Sequence, residues 1–290
     1  MSQNQPLVSI MMPVYNGVET LGLATNSLIQ QSYTNWKCVI VNDGSSDGTK
    51  EFLDQLTDPR FVIIHFETNK GRPVARQAAL DAAEGEYLAF LDADDFYHPE
   101  KLKEQIALLE QFPEVALVSC GNACYDENFN LETVRGCGNG VPKTYRFGAK
   151  LTCALRTSVV RLAAATKIPF NAKLKHAQDT DFMQRYLVGK QYISMPQVLY
   201  YYSEFVSVTG KKILKTYYYS LIHHRSLLKH AFVPNLKAML VTVAKGAFTA
   251  VLLPFTGVGF FLKKRGRIPT LSEQEDYKKV SNQLQINGKA

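Results

Sequence analysis

The sequence predicts an α/β fold, with helices on both faces of a wound, mostly parallel sheet. Apolar runs of strand length alternate with segments of helix length over the first 120 residues. Strands buried on both faces appear as continuous apolar runs, and their alternation with helices is typical of parallel sheets. The chain has 290 residues, 46% of them hydrophobic and 20% charged, which is typical of a globular protein with a sizeable core.

Five strands and four helices are predicted in this part of the chain. The predicted strands are Leu7–Met12, Lys37–Val41, Phe61–Phe66, Tyr87–Leu91 and Val115–Ser119. The predicted helices are Glu19–Gln31, Thr49–Leu56, Pro73–Ala83 and Pro99–Gln111. Beyond them we expect loops or short irregular strands over Gly121–Gly148, a helix from about Thr180, and a strand pair in YISMPQVLYYYSEF.

Polar or glycine-rich segments follow each of the first four predicted strands. In order they read PVYNG, NDGSSDGT, ETNKGRP and DADD. Because ligands of wound parallel sheets bind beyond the carboxyl ends of the strands, these four segments predict one cleft.

Three carboxylates, Asp92, Asp94 and Asp95, crowd the end of the fourth strand. Alternate residues of an extended segment point the same way, so Asp92 and Asp94 can face one ligand. A divalent cation such as Mg²⁺ or Mn²⁺, bound together with a diphosphate, would relieve the repulsion between them. The alternative is a solvated acidic turn in which Asp95 caps the next helix.

Two further polar residues are candidates for ligand binding. Asp43 emerges first from the second strand and could accept hydrogen bonds from the edge of a base, whereas Asp47 is expected to cap the next helix. Arg76 follows NKGRP and could either approach a diphosphate or form a salt bridge with the aspartates.

Several enzyme classes lack their signatures in this sequence. There is no G-x-G-x-x-G after the first strand, no G-x-x-x-x-G-K-[ST] and no G-x-S-x-G. These absences argue against a dinucleotide-dependent dehydrogenase, a P-loop ATPase and a serine hydrolase. Five cysteines without C-x-x-C spacing favour reduced thiols in the cytosol, and no secretion signal is visible at the N-terminus.

The C-terminal region after residue 209 differs in composition from the rest. Ala238–Leu262 is apolar but contains Lys245, Pro254, Gly257 and Gly259, and basic residues flank it. A helical hairpin or interfacial helix on an anionic membrane is one interpretation, and a buried helix pair that packs on the domain or on a second subunit is the other. The net charge of +7 fits such a surface, a phosphate-bearing ligand, nucleic acid or simple solubility. We expect the tail after Thr270 to be frayed.

Five ordered motifs together resemble glycosyltransferase family 2, whose members have the GT-A fold. The motifs are VSIMMPVYNG, VIVNDGSSDGT, NKGRPVARQAAL, GEYLAFLDADD and QDTDFMQRY, within residues 7–205. The resemblance implies a transferase domain over residues 1–209, with a nucleotide-sugar half to about residue 120, an acceptor half after it and a membrane-associated region over 210–290.

The resemblance also implies the roles of individual residues. The donor would be a nucleotide sugar, most often a UDP-sugar, used with Mg²⁺ or Mn²⁺ and transferred with inversion. Asp179 would be the general base, with Asp181 as its rival or as a structural partner of Arg185. Residues near the donor would be Pro13, Tyr15 and Asn16 at the base and ribose, Asp43 at the base, Arg76 near the phosphates, Asp92 near the ribose and Asp94 on the metal.

The sequence departs from the family pattern at three places. Gln178 replaces a glutamate, Gln77 ends the Ala-Arg-Asn segment, and Ser203 stands where many relatives have arginine. No Q-x-x-R-W follows the proposed base, which favours transfer of a single sugar over processive synthesis.

The resemblance suggests a bacterial envelope enzyme that acts on a lipid-linked glycan. We expect it to be peripheral on the cytosolic face of the inner membrane and not to bind nucleic acid. The alternatives are a catalytically silent membrane-binding module and a sugar nucleotidyltransferase, although the GGxGTR-like loop of the latter is absent after the first strand.

Overall fold

A computed structural model describes residues 5–146, 149, 151–174, 177–228 and 232–284. The strands are Val8–Val14 (β1), Trp36–Asn42 (β2), Phe61–His65 (β3), Tyr87–Phe90 (β4), Phe96–Tyr97 (β5), Val115–Tyr125 (β6), Leu131–Arg135 (β7), Lys143–Thr144 (β8), Ser158–Arg161 (β9) and Gln191–Tyr202 (β10). The helices are Val18–Ile29 (α1), Thr49–Asp54 (α2), Arg72–Asp81 (α3), Lys101–Gln111 (α4), Leu162–Ala165 (α5), Gln178–Leu187 (α6), Glu204–Ser207 (α7), Gly210–Leu227 (α8), Phe232–Lys263 (α9) and Leu271–Gln283 (α10).

One sheet organises the chain, with the strand order β3-β2-β1-β4-β9-β6-β10-β5. The strands β3, β2, β1 and β4 are parallel neighbours, as the sequence predicts. The next strand, β9, is antiparallel to both β4 and β6, so the second half of the sheet is mixed rather than mostly parallel. The fold class is confirmed, but the four residues of β9 are too few to stand out as an apolar run.

Side chains alternate between two cores, one on each face of the sheet. Val8, Ile10 and Met12 of β1 pack into the core that contains α1, α2 and α4. Met11 points to the other core, formed with α3, α5 and α6. This period of two places helices on both faces and leaves the carboxyl ends of β1, β2 and β4 open for a site.

Two expectations for the second half of the sheet are wrong. The strand pair expected in YISMPQVLYYYSEF is one long strand, β10, which pairs with β6 through register shifts and ends at α7. The first five residues of the expected irregular stretch, Gly121–Tyr125, continue β6, and β7 and β8 follow. Of that stretch, Phe147 and Gly148 lie outside the described residues.

The two helices α8 and α9 form an antiparallel hairpin. The Thr249 hydroxyl donates to the Tyr217 hydroxyl at 3.2 Å, and His224 bonds to Asn235 at 3.0 Å. Asn235–Lys263 is long and apolar enough to cross a membrane, yet only 6% of its most apolar stretch is buried. The rest of the described chain therefore leaves this stretch uncovered, and contact with a membrane or with a second subunit stays a prediction.

Residues 271–284 of the tail form a packed helical segment, contrary to expectation, and residues 285–290 lie outside the described residues. Thr270 and Glu273 form a reciprocal capping box at the start of α10, which satisfies two backbone N–H groups. Tyr277 and Val280 are buried against a third core cluster that includes Phe96. A polar composition concealed this helix, which buries Tyr277 and Val280 against the sheet domain.

The buried Lys101 should make stability depend on pH. Burial lowers the pKa of Lys101 from 10.5 to about 8, although its ammonium donates to Gln105 at 2.7 Å. The charged form therefore destabilises the fold fully below pH 8, and the penalty disappears as pH rises to 10.5. We expect Lys101→Met to raise the free energy of unfolding at pH 7 by at most about 3 kcal/mol.

Urea unfolding at several pH values measures this difference. The gain should shrink between pH 8 and 10.5. The exposed Lys103 is the matched control, and Lys103→Met should show no such gain. A Lys101→Met variant less stable than wild type at pH 7 would contradict the expectation.

Candidate active site

Three cavities meet at the carboxyl ends of the parallel strands. The smallest, about 260 Å³, is lined by Pro13, Tyr15 and Asp43. Two larger cavities of about 790 Å³ and 810 Å³ share Asp92 and Asp94. Polar segments after separate strands thus converge on one cleft, as the sequence predicts.

The smallest cavity is held together by contacts between loops. The backbone N–H groups of Lys70 and Gly71 donate to the Asp43 carboxylate at 2.7 Å and 3.0 Å. The Asn16 carboxamide oxygen accepts from the Ser46 N–H at 2.9 Å. Asn16 therefore shapes the loop, and it lines the 810 Å³ cavity rather than the smallest one.

A buried arginine joins the acidic segment to helix α6. The Arg76 guanidinium lies 3.2 Å from Asp92 and also forms an ion pair with Asp179. Its side chain is only 4% exposed, whereas that of Asp179 is 42% exposed. Of the two roles considered for Arg76, the salt bridge to the aspartates is the one that the geometry displays.

The other two aspartates of the segment have different environments. Burial raises the pKa of Asp94, and the charge of Asp92 raises it further. Asp95 is completely buried and accepts from the Tyr200 hydroxyl at 2.7 Å and the Ser203 N–H at 3.0 Å. Asp95 therefore fixes the segment to β10 and does not cap α4, which begins only at Lys101.

Asp92 is kept ionised by its surroundings. Burial raises the pKa of Asp92, but Arg76, Arg72 and Arg156 together lower it below its usual value. The positive partners of Asp92 are therefore arginines of the chain itself, whereas burial and neighbouring carboxylates raise the pKa values of both Asp94 and Asp95.

The two acidic residues in the first turn of α6, Asp179 and Asp181, have different ion-pair partners. Asp181 forms an ion pair with Arg185 at 2.5 Å, which is the structural role considered for it. Gln178 lines the 790 Å³ cavity next to Asp92 and Asp94. Residues Lys175 and His176, just before this helix, lie outside the described residues.

Two arginines of the site were missed by sequence reasoning. Arg72, the first residue of α3, lines all three cavities. Arg156 stacks over the Tyr202 ring at 4.0 Å, and its charge also acts on Asp92. The segment NKGRP could have indicated Arg72, but no pattern marks Arg156, which lies in the short 3-10 turn Leu155–Thr157 before β9.

The acidic segment fits a metal only in part. Within the described ranges, no group of three His, Cys, Asp or Glu side chains could hold a metal ion. Asp92 and Asp94 face shared cavities, and hard divalent cations readily complete their shell with water and phosphate oxygens. The residues therefore fit Mg²⁺ or Mn²⁺ held jointly with a diphosphate, and not a site built from protein alone.

Comparison with known sequences decides the family. Residues 9–161 match the family model described as "Glycosyl transferase family 2". The chain belongs to glycosyl transferase family 2. The match covers just over half of the chain and includes β1 to β9, with the acidic segment at its centre.

Individual members and solved structures agree with this membership. WfgD of Escherichia coli, named UDP-Glc:alpha-D-GlcNAc-diphosphoundecaprenol beta-1,3-glucosyltransferase, is 39% identical over 103 residues, which are 36% of this chain and 41% of WfgD. The matched region thus spans less than half the length of that relative. S. aureus TarS with UDP-GlcNAc superposes with a TM-score of 0.58 at 21% identity, covering 96% of this chain and 80% of TarS. The mannosyltransferase PcManGT from Pyrobaculum calidifontis, with GDP-Man and Mn²⁺, gives 0.60 at 16% identity, covering 97% and 87%. These two confirm the fold.

Removing the Asp94 charge should stabilise the ligand-free protein. Because the pKa of Asp94 is raised, its ionised form destabilises the fold above that pKa, and the penalty is lost as pH falls below the ordinary value. We expect Asp94→Asn to raise Tm at pH 7 by roughly 2–4 °C, measured by differential scanning calorimetry. Asp81→Asn, at an exposed aspartate that ends α3, should leave Tm unchanged, and a lower Tm for Asp94→Asn would contradict the expectation.

Proposed function

We propose that the chain is an inverting glycosyltransferase that moves one sugar from a nucleotide-sugar donor, a UDP-sugar, to an acceptor hydroxyl. The observation that carries the proposal is the junction of the three cavities at Arg72, beside Asp92 and Asp94. A small cavity for a base opens there onto two larger ones that can hold a sugar and an acceptor.

The donor is proposed to lie with its base between Tyr15 and Asp43 in the 260 Å³ cavity. Pro13 lines the same cavity and Asn16 shapes its loop, while Asp92 would contact the ribose. Arg72 replaces Arg76 as the residue nearest the phosphates in this proposal, because Arg76 is already occupied by Asp92 and Asp179. The binding of UDP-GlcNAc by TarS, which shares the fold, supports a UDP-sugar.

Asp179 is proposed as the general base. It would take the proton of the acceptor hydroxyl while that oxygen attacks the anomeric carbon from the face opposite the diphosphate. The bond from the anomeric carbon to the diphosphate oxygen breaks, and the nucleoside diphosphate leaves. The ion pair to Arg76 weakens a carboxylate as a base, so Asp179 would have to move away from Arg76 as the substrates bind.

A divalent cation, when bound at Asp94, would neutralise the charge that develops on the leaving diphosphate. The raised pKa of Asp94 and the Mn²⁺ in the PcManGT complex support this assignment, and Mg²⁺ would serve equally.

The acceptor is proposed to be a lipid-linked glycan of bacterial envelope synthesis at the cytosolic face of the membrane. WfgD, by its name, acts on a sugar linked to diphosphoundecaprenol. In this chain, residues 1–209 would form the transferase unit, and α8 and α9 would hold it on the anionic surface. The exposed Phe248, Val251 and Phe255 of α9 support membrane contact.

The donor proposal is tested by thermal shift with UDP, GDP, dTDP and CDP, each with and without Mn²⁺. We expect UDP with Mn²⁺ to raise Tm, and Arg72→Ala to weaken that binding at least tenfold. Asp179→Asn should bind UDP within twofold of wild type. With a panel of UDP-sugars, this variant should transfer the sugar to an acceptor about 100-fold more slowly than wild type. Asp181→Asn is the matched control and should transfer normally.

Two results would contradict this assignment. If Asp179→Asn transfers the sugar normally and Asp181→Asn does not, Asp181 rather than Asp179 is the general base. No shift with any nucleotide would refute the donor site and favour a catalytically silent membrane-binding module.

Membrane contact is tested by flotation with phosphatidylglycerol vesicles. Val251→Asp/Phe255→Asp should reduce vesicle binding at least tenfold, because two exposed apolar side chains of α9 no longer enter the lipid. Val141→Asp, at an equally exposed valine of the transferase unit, should float like wild type. Unchanged flotation of the double variant would exclude this face of α9 as the membrane contact.

A further inference from the structure

The 790 Å³ cavity extends from the acidic segment to the C-terminal hairpin. At one end it is lined by Asp92, Asp94 and Gln178, and at the other by Lys212 and Lys215 of α8. The C-terminal region is thus one wall of the candidate active site and not only an attachment to a surface.

One face of α8 forms this wall. The lining positions Lys212, Lys215 and Thr216 recur at the three- and four-residue spacing that places side chains on one helical face. Both lysines are exposed, and the Thr216 hydroxyl donates back to the Lys212 carbonyl at 3.0 Å. Lys211, next to them in the chain, does not belong to this face.

The third cation of the wall, Arg265, is held in place by an ion pair with a buried glutamate. Its guanidinium lies 2.8 Å from Glu204, which is 2% exposed and also forms an ion pair with Arg135 at 2.8 Å. One buried carboxylate against two guanidinium groups leaves a net positive charge. Two backbone hydrogen bonds of 2.9 Å, one in each direction between Val134 and Arg267, also hold the segment that carries Arg265.

The wall and the exposed apolar side chains belong to one helical hairpin. Leu253 of α9 packs against Gly210, at the start of α8, so closely that a Cβ added there would lie 2.8 Å from it. Val251 and Phe255 of α9 are exposed. A lipid surface that contacts α9 would therefore lie within the reach of one helix pair from the cavity.

We propose that Lys212, Lys215 and Arg265 bind the diphosphate of a prenyl-diphosphate-linked acceptor. This deepens the proposed function and rests on it. The donor diphosphate would occupy the Arg72 and Asp94 end, and the acceptor diphosphate the α8 end, with the acceptor sugar between them. Two cation sites would thereby separate two diphosphates that repel each other.

Isothermal titration with geranyl diphosphate tests the wall without knowledge of the sugar. The titrations use the full chain with Mn²⁺, first without and then with UDP. We expect Lys212→Gln/Lys215→Gln to weaken binding at least tenfold. Lys211→Gln/Lys237→Gln removes the same charge from exposed positions outside the cavity wall and should stay within twofold of wild type.

Three further measurements separate the sources of the signal. UDP should not displace geranyl diphosphate, since displacement would place the probe in the donor site and overturn the proposal. Soluble dihexanoylphosphatidylglycerol should bind at least tenfold more weakly, and equal affinity would assign the wall to bulk phospholipid. Geraniol should not bind measurably, and binding as tight as that of the diphosphate would show that the prenyl chain alone is recognised.

Equal losses in both double variants, or no binding by wild type, would also overturn the proposal. UDP binding is measured separately in every variant. If UDP fails to bind while the geranyl diphosphate results hold, the donor assignment fails and the basic wall stands.

Discussion

The buried guanidinium of Arg76 is the contact on which the candidate site depends. It connects α3, the end of β4 and the start of α6 by ion pairs to Asp92 and Asp179. Taking a charge out of water is costly unless it is paired, so these three segments are held in a fixed relation by their own electrostatics. The same pairing keeps Asp92 ionised and leaves the charge of Asp94 less compensated. A substrate that binds together with a cation, or that displaces Asp179 from Arg76, would therefore change the ion pairing of the whole cluster.

A second buried ion cluster gives the C-terminal region its place. Glu204 binds Arg135 of β7 and Arg265 beyond α9, and α10 packs through Tyr277 against the sheet domain. The hairpin of α8 and α9 is thus attached to the domain at both ends while most of its apolar surface stays exposed. This arrangement brings the exposed apolar hairpin and the cleft into one fixed relation. The proposed lipid-linked acceptor would require such a relation, because it could not leave its bilayer.

Much of the first half of the fold was predictable from local sequence. Each strand from β1 to β4 is a continuous apolar run, and the polar segments after them identified Asp43, Asp92 and Asp94. The second half was less predictable because its signals are short or divided. β9 has four residues and β10 continues through Pro196, so neither shows a simple period. The helix α10 was missed because its segment is otherwise polar. Three buried side chains stabilise it, and the sheet domain provides the surface against which they pack.

The sequence by itself determined the family, the strand ends that carry the polar residues, and the apolar character of the C-terminal region. Spacing along the chain suffices for these, because side-chain period and loop composition are local properties. Only the tertiary structure decided how the charges pair: Arg76 with Asp92 and Asp179, Asp95 with Tyr200, and Glu204 with two arginines. It also decided that α8 lines the cavity. Charge pairing depends on distance in space between residues far apart in sequence, and no local pattern encodes that distance.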